Sequence, residues 1–131
     1  MCSSGEGASI PNYGLDELIK DHLRIVVSIP GIKPIPHSAL RKILHPKSQP
    51  SASNGNITFS ASDTGFHFEF VGTNELCGQN YRIKVDKLPG QLVSSQCRCE
   101  VKDGAIEILL RKRDGKCAML ELLNGVLPTV D

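Results

Sequence analysis

Between Cys97 and Lys112 two apolar/polar alternations run into each other at Asp103-Gly104: CRCEVK on one side, AIEILLRK on the other. A two-residue Asp-Gly loop between alternating strands is a strong hairpin signal, and it suits a type I′ turn. That loop pairs Val101 with Ile106, Cys99 with Ile108 and Cys97 with Leu110. All six then point to one side, so turn chemistry and hydrophobic period choose the same register. The register also sets Glu100 opposite Glu107 on the other side, an unfavourable like-charge pair that neighbouring Arg98 and Lys102 are expected to relieve, with a basic partner as the alternative.

The same alternation recurs upstream. His22 to Gly31 predicts a strand with Leu23, Ile25, Val27 and Ile29 on one face, ended by Pro30-Gly31. Asn56–Ala61, Phe66–Val71 and Tyr81–Val85 predict three more, with Ile57, Phe59, Phe66, Phe68, Phe70, Tyr81, Ile83 and Val85 inward. Short one-faced strands separated by turns must close as two sheets, so the expected fold is all-β. It is an antiparallel immunoglobulin-like sandwich of about seven strands. The aromatic residues are few, and the phenylalanines with Tyr81 are expected to form much of its core.

Three segments lie outside this pattern. Residues 1–21 read as a flexible leader, with a short helix suggested by the spacing of Leu15, Leu18 and Ile19. The sandwich is expected over 22–115, interrupted by a long loop over 32–55. That loop carries a basic amphipathic stretch, HSALRKILH, with Ser38 as N-cap, and then a Pro/Ser/Asn/Gly run. Loops of such length in compact domains are usually functional or disordered. Residues 116–131, containing CAMLELLNGVLP, form a C-terminal extension whose periodicity fits either a strand or a short helix.

Composition excludes several functions. A net charge of +1 is no footprint for nucleic acid, and the basic run Arg111-Lys112-Arg113 has no aromatic platform beside it. No apolar run approaches the ~20 residues of a membrane helix, and the first residues lack a signal peptide's basic and apolar regions. The five cysteines, odd in number and without repeated spacing, read as buried free thiols in a reducing compartment rather than as metal ligands. His22, His37, His45 and His67 belong to no catalytic motif, so the chain is read as a non-enzyme without a cofactor.

The wording of the Tyr81–Lys112 block resembles the CS domain, the fold shared by CHORD-containing proteins, Sgt-type co-chaperones and the small acidic co-chaperone of heat-shock protein 90. The family's Leu-Pro-Gly-like corner reads here Leu88-Pro89-Gly90. Its C-x-Y-E-V strand reads Cys97-Arg98-Cys99-Glu100-Val101, and its K-V-E-I-x-L-x-K strand reads Ala105 to Lys112. RIVVSIPGI resembles the family's opening strand, so the resemblance covers about residues 22–113. It implies a monomeric, cytoplasmic protein-binding module, with the nucleus as a second location. Its partner would be heat-shock protein 90, or a complex of co-chaperone and client. The family's contact positions fall here on Ser28, Ala105 and Glu107; the Glu is kept, and Ser28 supplies no aromatic anchor. PIH-type co-chaperone subunits end in a divergent domain of this kind that recruits adaptors or clients.

The docking surface expected from the alternation is the outward face of the last three strands. Its candidate residues are Arg82, Lys84, Arg98, Glu100, Lys102 and Glu107. A mixed-charge face of this kind steers a partner more than it holds one. Two other readings use the same fold: a structural adaptor working through 32–55 or the tail without chaperone contact, and a small heat-shock-like holdase. The holdase family's I-x-I/V tail motif is absent.

Overall fold

In the computed structural model, residues 8–34 and 51–130 are described. The predicted HSALRKILH helix and the first seven residues of the leader lie outside them. The strands are β1 (Asn12–Asp16), β2 (His22–Ser28), β3 (Ser51–Ala52), β4 (Gly55–Ala61), β5 (Phe66–Gly72), β6 (Asn80–Val85), β7 (Arg98–Lys102) and β8 (Ala105–Arg111), and one short helix follows, α1 (Met119–Leu123). They form two antiparallel sheets, ordered β1-β2-β8-β7 and β3-β4-β5-β6. The expected all-β sandwich is therefore the observed fold, with the two-residue β3 as an added edge piece.

Alternation places each apolar row inward. Leu23, Ile25 and Val27 of β2 are fully buried, as are Ile106, Ile108 and Leu110 of β8. From the other sheet come Ile57, Phe59, Phe66, Phe68, Phe70, Ile83 and Val85. Phe70 stacks on Tyr81 with centroids 6.2 Å apart, and Phe59 meets Phe66 at 6.4 Å. At the turn before β5, a Cβ on Gly65 would stand 1.9 Å from the Val85 carbonyl oxygen, so only glycine lets that turn tuck under β6.

The last hairpin has the expected register, with Val101 opposite Ile106 and Cys99 opposite Ile108. Its turn differs from type I′, which needs positive φ at both central residues. Here Gly104 has φ +78° and Asp103 is not in that region. Both Gly104 backbone groups are bonded to the chain after β2, to Ile29 N–H and the Ile32 carbonyl, and these bonds set the local geometry. Cys97 does not pair with Leu110. It ends the 3-10 turn Ser94–Gln96, its thiol donating to the Val93 carbonyl at 3.4 Å.

The expected helix near residue 15 is a strand instead. Asn12–Asp16 pairs with β2 and turns Tyr13 and Leu15 toward the core, leaving Leu18 80% exposed. An edge vacancy beside β2 outweighs a helical spacing that is too short to be stable alone. Asp16 then closes the strand by accepting the Leu18 N–H at 3.1 Å.

Both irregular segments are tied to the sandwich by polar groups. Buried Asn54 closes the stem of the long loop, accepting from Lys33 N–H at 3.1 Å and donating to the Gly31 carbonyl at 2.8 Å. The tail forms α1, buries Met119, Leu123 and Leu127, and lays Thr129 beside Val85 on the β6 edge. Its anchor is Lys112, 6% exposed, whose ammonium contacts Glu17 and donates to the Cys117 carbonyl at 2.8 Å. The second Glu17 oxygen accepts the Leu120 N–H at 3.0 Å, at the start of α1. Glu17→Gln should therefore lower the stability measured by urea unfolding by about 1.5–3 kcal/mol, the range for a hydrogen bond to a charged group. Limited proteolysis of the variant should cut the tail first. An unchanged midpoint with a protected tail would show that this anchor carries nothing.

Candidate docking face

The outer face of the β1-β2-β8-β7 sheet is built from the same register that buries the core. Three cross-strand rows lie side by side: Asp16, Arg24, Leu109 and Arg98; then Gly14, Val26, Glu107 and Glu100; then Asn12, Ser28, Ala105 and Lys102. Of the six expected docking residues, Arg98, Glu100, Lys102 and Glu107 share this face. Arg82 and Lys84 do not: β6 belongs to the other sheet, where Arg82 lies opposite Glu69 and Lys84 opposite His67. Alternation says which side of a strand faces inward but not which sheet the strand joins. The 86–97 link, fastened by Leu88 N–H to the Thr64 carbonyl and Val93 N–H to the Arg111 carbonyl, carries the chain from one sheet to the other.

Glu100 does oppose Glu107, and the strain is relieved within the domain. Glu100 takes Arg98 and Lys102, each at 3.3 Å. Glu107 takes Arg24 at 3.1 Å, and the same guanidinium grips Asp16 at 2.8 Å. Arg24 thus links β1, β2 and β8 across the middle of the face. The hydrogen bond from Arg24 holds the Asp16 carboxyl below its ordinary pKa against the opposing effect of burial, with the Leu18 N–H helping. Arg24 was legible as an outward residue, but its role depends on β1, which the helical spacing concealed. Leu109 is a second such residue. It points outward yet is 1% exposed, between Arg24 and Arg98 in its row, and their aliphatic stems suit that burial. The doubled Leu109-Leu110, which breaks the alternation, was its signal in the sequence.

The other outer face holds His67, whose Nε2 lies 3.0 Å from the Glu69 carboxylate. No group of three His, Cys, Asp or Glu side chains suited to a metal occurs among the described residues. Burial pushes the Cys99 thiol up to about 12, with the Glu100 charge adding to the rise, and burial also raises Cys97. Thiols held protonated in this way are poor nucleophiles. The expectation of free cysteines fits Cys97, Cys99 and Cys117 but not Cys77, which is exposed after the Asn74–Leu76 turn and disulfide-bonded. That bond removes the cysteine argument for a reducing compartment. Among the described residues no helix is long and apolar enough to cross a membrane.

The chain matches no protein-family model, and no curated protein matches it.

Because Asp16 titrates below its ordinary value in the fold, its link to Arg24 stabilises fully above the unfolded-state pKa of about 3.9. The contribution disappears as the pH falls through the lowered folded value. Asp16→Asn should therefore be less stable than the parent at pH 6, and the two unfolding curves should converge in strong acid. Equal stability at pH 6 would remove Asp16 from the account.

Proposed function

We propose that this sandwich is a non-catalytic docking module of the heat-shock protein 90 co-chaperone kind, acting on the chaperone or on a complex of co-chaperone and client. The supporting observation is the outer face of the first sheet. Ser28 lies opposite Ala105, with Glu107 in the adjoining row, so the three positions to which the family resemblance assigns contact form one patch. Around it the charges alternate in sign and are already bridged to one another. A face of that kind offers orientation and complementarity more than adhesion, and the affinity expected of it is modest.

A second reading, a structural adaptor that makes no chaperone contact, draws on the tail. Leu122, Val126 and Val130 are 63%, 65% and 40% exposed while Met119, Leu123 and Leu127 are buried, which leaves apolar side chains on the outside of α1 and the strand-like end.

An NMR titration with full-length heat-shock protein 90, with and without ATP, separates the two. The docking reading expects shifts centred on Val26, Ser28, Ala105 and Glu107. It also expects about tenfold weaker binding for Lys102→Glu, roughly 1.4 kcal/mol. Shifts confined to 119–130, or none, would refute it.

A further inference from the structure

The outer face of the first sheet ends in an open depression of ≈ 520 Å³, lined by His22, Ser95, Gln96, Cys97, Arg98 and Arg111. The fold assembles it from distant parts of the chain. Pairing of β2 with β8 sets His22 opposite Arg111. Arg98 faces Leu109, two residues before Arg111 on the same side, so the two arginines are diagonal neighbours. Diagonal positions in a sheet are within reach of long side chains. The Ser94–Gln96 turn walls the other side, held there by the Val93 N–H bond to the Arg111 carbonyl at 2.9 Å.

Among the described residues no carboxylate lines the depression. The acids that do pair with its arginines hold them loosely. Asp21 reaches Arg111 at 3.6 Å, and Glu100 reaches Arg98 at 3.3 Å with both side chains well exposed. Ion pairs in such settings contribute little, so the guanidinium N–H groups are open to a better acceptor. His22 donates Nδ1–H to the Lys20 carbonyl at 2.8 Å, because a carbonyl only accepts, and that leaves Nε2 as the uncommitted nitrogen. The Ser95 hydroxyl and Gln96 amide make no side-chain hydrogen bond among the described residues. Two planar guanidinium forks, a hydroxyl and an amide around one hollow form a donor set for a compact oxyanion.

We infer that this depression binds a phosphate monoester carried on a peptide side chain of the docking partner. This rests on the docking reading for the source of the phosphate, and on the donor set alone for its chemistry. A nucleic-acid backbone fits poorly, since the net charge is only +1 and no aromatic side chain stands among the described residues that line the hollow.

The test is an NMR titration of the full chain with inorganic phosphate, and then with a phosphoserine peptide and its unphosphorylated counterpart. Saturable shifts at His22, Ser95, Gln96 and Arg98 are expected, with the phosphopeptide binding at least tenfold tighter than its counterpart. Arg98→Ala, at an exposed position, should weaken phosphate binding at least tenfold. Lys33→Ala, at the opposite end of the sheet, should leave it unchanged. Shifts that never saturate, or that ignore Arg98→Ala, would overturn the inference. Phosphate binding without capture of heat-shock protein 90 would uphold this site while sinking the chaperone reading. Capture with no phosphate response would do the reverse.

Discussion

The pairing of β2 with β8 is the contact on which the molecule depends. It joins His22–Ser28 to Ala105–Arg111 over a separation of most of the chain. Until it forms, the β1-β2 pair and the final β7-β8 hairpin are two separate ribbons with no common sheet. Its inner side brings Leu23, Ile25 and Val27 against Ile106, Ile108 and Leu110, all fully buried, and each such side chain contributes roughly 1.5–3 kcal/mol of transfer free energy. A long loop must close before that gain is realised, so the topology favours slow folding over fast local assembly.

The same register that fills the core composes the outer face, because successive side chains on a strand point to opposite sides. Fixing Ile106 and Ile108 inward fixes Glu107 outward, opposite Glu100. The fold answers that conflict with Arg24, which β2 places beside Glu107 and β1 supplies with Asp16. The centre of the face is thereby neutralised. Its far end, where Arg98 and Arg111 surround a hollow with only loose partners, keeps cationic donors available. One strand pairing thus gives a neutralised centre and a cationic corner on a single surface.

Much of this was legible in the residues. The Asp103-Gly104 signal and the flanking alternation specify the last hairpin, and Phe66, Phe68 and Phe70 mark the core of the other sheet. What failed did so for physical reasons. Leu15, Leu18 and Ile19 have helical spacing, but an open edge beside β2 recruited Asn12–Asp16 as a strand. Tyr81–Val85 shows its inward face plainly, yet period two carries no information about sheet membership, so Arg82 and Lys84 were grouped with the wrong neighbours. Lys112 reads as part of a solvated basic run and is instead buried against Glu17, a partner set by the path of the tail. The state of Cys77 likewise depends on proximity in space.

Native-state hydrogen exchange tests the central dependence most directly. If β2–β8 pairing holds the sandwich together, amides of both strands exchange only through global unfolding, with one shared free energy and one denaturant slope, while β1 and the tail open at lower cost. Amides of Leu23–Val27 and Ile106–Leu110 exchanging by local opening, ahead of β4 and β5, would contradict the account.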